Sequence, residues 1–198
     1  MKEAGIKAST TGLYAWSPGR QAFYSGTGNQ LRNAAQAIKP GQHWAGDFTY
    51  INTANRYLYY AIVMDLYTRK VIGWSLGRKR NSDLTRRALL MALGQHKPMV
   101  GCIFHSDQGI EYAAHDYRDL VASAGLIRSM SRKGAPQDNA IVESFFHSMK
   151  SEAVTKAIYK NEIEAVVEII EYMHFYNNER LHSSIGYQSP KNYEKLCA

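Results

Sequence analysis

Hydrophobic and polar residues follow two spacings along the chain, and these spacings predict five strands separated by turns and helices. Aromatic and β-branched stretches bounded by Gly, Asn and Ser are typical of strands. The predicted strands are 44–53, 57–64, 71–76, 101–106 and 126–131. Apolar residues three or four positions apart predict helices instead. The predicted helices are 82–95, 112–124, one that follows residues 132–138 and ends near 153, and 161–176, with a short one within 31–38.

The order of these elements predicts an α/β fold. Short turns join the first three strands, so they should form an antiparallel meander, whereas helices connect the last two strands. The expected sheet is therefore mixed and five-stranded, with three antiparallel strands, then two helix-connected strands, and flanking helices. The ribonuclease-H-like fold has this order, and its first and fourth strands lie side by side. That arrangement would bring Asp47 close to Asp107.

Two of the helices carry more detailed predictions. Ser82 is a suitable N-cap for the helix that it opens. The last helix should turn one apolar stripe inward. This stripe is formed by Ile163, Val166, Val167, Ile170 and either Met173 or His174.

Charge and cysteine content narrow the class of protein. The net charge of +7 and a pI of about 9.3 favour a polyanionic partner, with nucleic acid first and an acidic membrane surface second. The two cysteines, Cys102 and Cys197, form no Cys-x-x-Cys pair, so we expect a reduced cytosolic protein without a disulfide framework or zinc knuckle. Residues 1–9 lack the apolar stretch of a signal peptide. The longest apolar run, 57–67, contains Asp65 and is too short to span a bilayer.

Residues 132–150 combine a basic turn with an amphipathic helix. On a helical wheel, Asn139, His147 and Lys150 fall within about 40° of Glu143. An apolar stripe lies beside this face, formed by Val142, Phe145, Phe146, Met149 and Ala153. A carboxylate next to a packing surface, among groups that bind phosphate, indicates a functional role for Glu143.

Two aspartates could join Glu143 in a site. Asp47 lies within an otherwise apolar strand, where a charge is costly unless it is paired or bound to metal. Asp107 directly follows the fourth strand. Three converging carboxylates suit Mg²⁺ or Mn²⁺, and two such ions about 4 Å apart support phosphoryl displacement. Asp65 is instead predicted to cap a turn.

Residues around these carboxylates are candidates for DNA contact or for support of the site. The predicted DNA-binding residues are Arg132, Lys133, Asn139 and Lys150. His105 and His147 are predicted to support the carboxylates without binding the ion. His105, Ser106 and Asp107 cannot form a hydrolase triad, because successive strand residues point to alternate faces.

Several short segments carry a family resemblance. The segments are 105–109 (HSDQG), 129–134 (SMSRKG), 138–140 (DNA), 143–146 (ESFF) and 150–152 (KSE). In this order they resemble the catalytic core of bacterial insertion-sequence transposases, most closely the insertion-sequence-three family, whose core is of the retroviral-integrase type. Residues 44–50 resemble the strand of that family's first aspartate, and 175–190 its C-terminal signature. Thirty-five residues, 108–142, separate Asp107 from Glu143, which is the spacing of such DDE enzymes.

The resemblance implies a Mg²⁺-dependent DDE transposase or integrase. Asp47, Asp107 and Glu143 would be both its catalytic residues and its metal ligands. It would hydrolyse a phosphodiester at the element end, and the freed 3′-hydroxyl would attack a second DNA strand. The partners implied are element ends, target DNA, further copies of the chain assembled on DNA, and possibly a helix-turn-helix protein from an upstream frame. No membrane partner is implied, and the expected location is the bacterial cytoplasm, at the nucleoid.

Two other functions stay open at this point. The family usually has Gln at the position of Glu111, so the chain could be a nucleic-acid-binding transposase relic without turnover. A ribonuclease-H-like nuclease acting on RNA–DNA hybrids would use the same carboxylates, although the SMSRKG turn fits it poorly. The expected division is a linker or N-terminal arm at 1–40, an integrase catalytic core at 41–160, and a C-terminal helix and tail at 161–198.

Overall fold

A mixed five-stranded sheet forms the centre of the molecule in the computed structural model, which describes residues 27–154 and 159–197. The strands are β1 His43–Asn52, β2 Tyr57–Asp65, β3 Val71–Gly77, β4 Ile103–Ser106 and β5 Ile127–Met130, in the spatial order β3-β2-β1-β4-β5. β1, β2 and β3 pair antiparallel, and β4 and β5 run parallel to β1. The predicted α/β architecture and the β1–β4 neighbourhood are confirmed. Most of the predicted N-terminal arm lies outside the described residues.

Helices cover both faces of the sheet. The α-helices are α1 Gln30–Asn33, α2 Ser82–Gln95, α3 Ile110–Ala113, α4 His115–Ser123, α5 Ala140–Met149, α6 Glu162–Asn178 and α7 Pro190–Leu196. Short 3₁₀ segments lie at Pro136–Asn139 and Ser183–Ile185, and the helix continues past α5 as a π-helix at Lys150–Val154. None of the helices in the described part of the chain has the length and apolar character needed to cross a membrane.

Two separate cores lie on the two faces of the sheet. Side chains of α5 and α6 pack on one face, and side chains of α2, α3 and α4 pack on the other. β1 serves both, because its alternate residues Trp44 and Ala45 belong to opposite cores. Gly73 of β3 lets α2 approach closely, since a Cβ there would lie 2.6 Å from the Ala92 backbone nitrogen. The buried side of α6 belongs to the same core as α5, and the boundary drawn at residue 161 stays a prediction.

The helix predicted at 112–124 is two helices, and this prediction was wrong. Ala114 is extended (ψ 146°) and separates α3 from α4. In one straight helix, Tyr112 and Tyr117 would point about 140° apart. The break lets both rings pack in one core, with their centroids 5.2 Å apart. The packing of these two rings therefore accounts for the break in the helix at Ala114.

Three other helix predictions need correction. The N-cap of α2 is Asn81, whose side chain accepts a hydrogen bond from the Leu84 N–H, so Ser82 is already helical. The short helix within 31–38 is only Gln30–Asn33. α6 is rotated relative to the predicted stripe, with Ile163 76% exposed. The residues of α6 that are buried are Ala165, Ile169, Tyr172, Met173 and Tyr176.

The rotation of α6 follows from ring packing. Tyr176 meets Phe145 of α5 edge-on, with centroids 4.7 Å apart. The ring of Tyr172 also lies near Phe145, tilted, with centroids 6.3 Å apart. These rings bury more apolar surface than the aliphatic stripe would, so they set which side faces the core.

Candidate active site

The two aspartates lie side by side because of the register between β1 and β4. Ala45 pairs with His105 in the parallel ladder. Asp47 lies two residues further along β1, and Asp107 lies two residues after His105, just past the end of β4. The two aspartates are therefore at the same level of the sheet, where neighbouring strands run about 4.8 Å apart. Asp47 also shares the face of Ala45, which is the face covered by α5. The predicted proximity of the two aspartates thus arises from the sheet itself.

The carboxyl group of Asp47 is strongly perturbed. Burial, followed by the negative charge of Asp107, raises its pKa to about 7, and the charge of Glu143 adds to the rise. Its Oδ1 accepts a hydrogen bond of 2.8 Å from the Phe48 N–H, which opposes the shift. A buried carboxyl group beside other carboxylates is costly to ionise, and such perturbed groups cluster at functional sites.

Asp107 is held by the turn that follows β4. Its Oδ1 accepts a 2.9 Å hydrogen bond from the Gly109 N–H. A Cβ at Gly109 would lie 2.8 Å from both Asp107 Oδ1 and Glu111 Oε2. Burial raises the pKa of Asp107, and the hydrogen bond from Gly109 partly opposes that rise. Glycine at this position therefore leaves room for two carboxylates near one turn.

Arg80 neutralises the extra carboxylate of Glu111. Glu111 is only 2% exposed, and its Oε1 accepts a 2.5 Å ion-paired hydrogen bond from Arg80 Nε. The guanidinium also lies 4.5 Å from the centroid of the Phe48 ring. The sequence alone did not indicate this pair, because no spacing signal links residues 31 positions apart.

Glu143 is the candidate carboxylate on the helical side of the site. It is exposed on the first turn of α5, which packs against β1. The negative charge of Glu143 contributes to the raised pKa of Asp47. Within residues 27–154 and 159–197, however, no group of three or more His, Cys, Asp or Glu side chains is arranged so that it could hold a metal ion. Mutual repulsion of three carboxylates favours such a separation.

The donor chemistry still fits a hard divalent cation. Asp47 offers carboxylate oxygens from β1 and Asp107 from the end of the adjacent β4, and these are the ligands that Mg²⁺ and Mn²⁺ prefer. Burial is the main cause of the raised pKa of both groups, and the positive charge of Arg80 only partly opposes it. The fit rests on two residues, with Glu143 near enough to contribute electrostatically.

Comparison with known families now decides the class of protein. Residues 37–136 match the model of the Integrase core domain, and residues 125–190 match a second model with the same description. The chain belongs to the integrase core family.

Curated relatives of this integrase core include transposases of insertion sequences. It is 39% identical over 168 residues to the transposase for insertion sequence element IS904 of Lactococcus lactis, and the match covers 84% of this chain and 66% of that protein. It is 40% identical over 167 residues to transposase InsF for insertion sequence IS3A of Escherichia coli, covering 84% and 58%. The integrase core thus spans roughly three-fifths of the length of these relatives, and the resemblance to insertion-sequence transposases is confirmed.

Solved structures agree on the fold. The catalytic core domain of HTLV-2 integrase in complex with magnesium has a TM-score of 0.58 at 14% identity, covering 80% of this chain and 99% of that one. The catalytic core domain of BIV integrase has a TM-score of 0.58 at 16% identity, covering 79% and 95%. The expected ribonuclease-H-like fold is therefore confirmed.

The four residues predicted to contact DNA differ in the interactions that they already make within the protein. Arg132 is held by Asp138 in a two-pronged ion pair, with Nε and Nη2 each 3.0 Å from a carboxylate oxygen. Lys150 lies at the start of the π-helix, with Nζ 4.9 Å from the centroid of the Tyr50 ring. Asn139 is 6% exposed, and its buried Nδ2 has no hydrogen-bond partner. Lys133 is exposed at the same turn as Arg132.

The two histidines predicted to support the site lie in different environments. His105 is fully buried, with Nδ1 2.8 Å from Ser129 Oγ and Nε2 3.0 Å from Ser131 Oγ, so it links β4 to β5. Burial lowers the pKa of His105 to about 4. His147 is exposed on α5, and in the described part of the chain it makes no hydrogen bond or ion pair with Glu143.

The prediction for Asp65 is confirmed. Its Oδ1 accepts hydrogen bonds from the backbone N–H groups of Tyr67 and Thr68 at 3.0 and 2.9 Å. Its Oδ2 accepts from the Gly41 N–H at 2.6 Å and from Trp44 Nε1 at 3.2 Å. This buried aspartate is fully used in closing turns, which separates it from the aspartates of the site.

Proposed function

We propose that the chain is the catalytic core of a transposase that cuts DNA at the ends of a mobile element and joins the 3′ end to target DNA. The observation that carries the proposal is the position of Asp47 beside Asp107 at one level of the sheet, with the pKa of Asp47 raised to about 7. An isolated structural aspartate would be hydrogen-bonded as Asp65 is. The names of the curated relatives support the same activity.

Asp47 and Asp107 are the residues that would hold a divalent cation, and Glu143 would complete the set from α5. Two Mg²⁺ or Mn²⁺ ions, when bound, would activate a water or 3′-hydroxyl and stabilise the leaving oxygen. A cation there would favour the ionised form of Asp47, whose pKa is raised by burial and by the charge of Asp107. The HTLV-2 integrase core of similar fold is in complex with magnesium, which is consistent with this choice of ion.

The chain's own basic residues would hold the DNA. Lys150 lies on the same side of the helix as Glu143, and Arg132 and Lys133 lie before α5. Phosphate contacts of this kind position the strand and carry little sequence information. The buried Nδ2 of Asn139 is a donor that a strand near Glu143 could satisfy. Further copies of the chain would assemble on paired ends, as the intasome of a similarly folded integrase suggests.

A relic without turnover is the competing hypothesis, and Glu111 was its main support. Because Arg80 pairs with Glu111, the carboxylate adds no net charge beside Asp107. Strand-transfer assays on pre-nicked element ends with Mn²⁺ separate the two hypotheses. We expect joined product that disappears with EDTA. DNA binding without product at any Mn²⁺ concentration would favour the relic.

A further inference from the structure

A cavity of about 660 Å³ lies beside α5, away from the carboxylates. Its walls come from the turn after β2, from α5, and from the segment that follows α6. The polar residues that matter are Arg69, Ser144, Ser148, Arg180, His182 and Ser184. On a helix of 100° per residue, Ser144 and Ser148 lie about 100–140° around α5 from Glu143. The cavity is therefore a different surface of the same helix.

Three nitrogens at this cavity are hydrogen-bond donors without an acceptor. Nε and Nη1 of Arg69 are buried and have no partner, and the same holds for Nε2 of His182. Nδ1 of His182 lies 3.3 Å from Nη1 of Arg180. A guanidinium can only donate, so Nδ1 must accept, and the ring proton must sit on Nε2. Each of these three N–H groups is therefore a buried donor that lacks an acceptor.

The positive charge of the cavity wall also favours binding of an anion. Arg180 is already paired with Glu152, with Nη2 2.6 Å from Oε1. Arg69 makes no such ion pair, since no Asp or Glu is among the described residues that line the cavity. Burial lowers the pKa of Arg69, and the charge of Asp65, which is outside the cavity lining, only partly opposes that change. The cavity wall thus carries a positive charge that no carboxylate of the wall pairs with.

Backbone strain is concentrated at the same place. Arg69 (φ 63°) and Tyr187 (φ 55°) are the non-glycine residues with positive φ in the described part of the chain, and both line this cavity. Such conformations are disfavoured for residues with a Cβ and tend to persist at functional sites. The long cationic side chain of Arg69 thus lines the cavity from a backbone position in the left-handed region.

We propose that this cavity binds a phosphate group, and that the phosphate belongs to a DNA backbone. An oxyanion would accept hydrogen bonds from Arg69 and His182 after a small rotation of their terminal groups, and the serine hydroxyls would donate to its other oxygens. The volume leaves room for a neighbouring sugar. The DNA source rests on the proposed function, whereas the phosphate chemistry does not. The site would hold a DNA segment other than the one at Glu143.

Two variants test the cavity without disturbing the carboxylates. Arg69→Gln removes the charge and keeps much of the side-chain length, and Ser184→Glu places a carboxylate at an exposed position on the cavity wall. Arg86→Gln is the matched control, because it removes one positive charge from α2 on the opposite face of the sheet. Binding of inorganic phosphate is measured by calorimetry. Binding of a short DNA duplex is then measured at several KCl concentrations in EDTA, so catalysis plays no part.

We expect wild type and Arg86→Gln to bind phosphate, and the two cavity variants to bind it at least about tenfold more weakly. The slope of log K against log[KCl] for the duplex should be smaller by about 0.9 in the cavity variants, which is one phosphate contact. Phosphate binding that is lost while the DNA slope is unchanged supports the cavity but overturns the DNA source. Cavity variants that bind phosphate like wild type, or a wild type that binds none, overturn the proposal. These results are independent of whether strand transfer occurs.

Discussion

Arg80 Nε lies 2.5 Å from Oε1 of the buried Glu111, one short turn away from Asp107. Glu111 is almost inaccessible to water, whereas half of the Arg80 side chain is exposed. The two partners therefore depend on each other unequally. Without Arg80, a buried carboxylate would be left uncompensated beside the site. Without Glu111, the guanidinium could still be hydrated.

This asymmetry predicts different costs for the two single substitutions. Arg80→Gln should lower the free energy of unfolding by on the order of 2 kcal/mol, because it strands a buried charge. Glu111→Gln should lower it by less than about 1 kcal/mol, and the double variant should resemble Glu111→Gln. Urea unfolding of the four proteins measures these values. Equal losses in the two single variants would contradict the asymmetry.

Glycine should be required at position 109 because it leaves space for two carboxylates, and its backbone conformation does not itself require glycine. Its φ of −61° and ψ of 142° suit alanine, but a Cβ would lie 2.8 Å from both Asp107 Oδ1 and Glu111 Oε2. Gly109→Ala should therefore slow DNA cleavage at least about tenfold, since small displacements of reacting groups are costly.

Gly94→Ala is the matched control for Gly109→Ala. A Cβ at Gly94 of α2 would meet nothing within 4 Å. It should leave the cleavage rate unchanged and stabilise the helix by up to about 1 kcal/mol. Cleavage by Gly109→Ala at the wild-type rate would show that Asp107 tolerates displacement.

Acid should weaken the link between β4 and β5 through His105. The pKa of His105 is about 4 in the folded state, against 6.5 when unfolded. Between these values the unfolded chain binds more protons, so stability is fully present above pH 6.5 and is lost as the pH falls toward 4. At about 1.36 kcal/mol per unit, this amounts to about 3 kcal/mol.

The stability difference between wild type and His105→Gln isolates this contribution. His182 also has a pKa of about 4, but its effect is present in both proteins and cancels. The difference should shrink between about pH 7 and pH 4, as followed by urea unfolding at each pH. His147→Gln, which also removes one histidine but at an exposed position, is the matched control. A pH-independent difference for His105→Gln would refute the assignment.

Lys150 should contribute more to DNA affinity than Arg132 does. Arg132 is already held by the carboxylate of Asp138 at two nitrogens, so a phosphate must compete for it. Lys150 contacts only the Tyr50 ring among the interactions described, which leaves its charge available. Lys150→Gln should therefore reduce the salt slope of DNA binding by about 0.9, and Arg132→Gln by less. The reverse order would mean that the Arg132–Asp138 pair opens on DNA.

The proximity of Asp47 to Asp107 could be predicted from the sequence. Each aspartate lies within or next to a strongly apolar strand, and the order of strands and helices permits few sheets. The turn at Asp65 was predictable too, because Thr68 and the following turn residues are local. Patterns that repeat within one element are what a single sequence shows best.

Contacts between distant elements were not predictable in the same way. The pair of Arg80 with Glu111 joins separate elements, and neither residue has a distinctive local pattern. The rotation of α6 depends on how the rings of Tyr176 and Phe145 share space, and the periodicity of α6 favoured its aliphatic side. The cavity beside α5 is lined by Arg69, whose positive φ could not be predicted because the position is not a glycine.

Cleavage of an element-end DNA by carboxylate variants tests the central claim most directly. With Mg²⁺, Asp47→Asn, Asp107→Asn and Glu143→Gln should each reduce the cleavage rate on the order of a thousandfold, corresponding to several kcal/mol of lost stabilisation. DNA binding should be retained, and Asp119→Asn, at an exposed residue of α4, should cleave like wild type. Full cleavage by any one of the three variants would contradict the assignment of these carboxylates as the catalytic set.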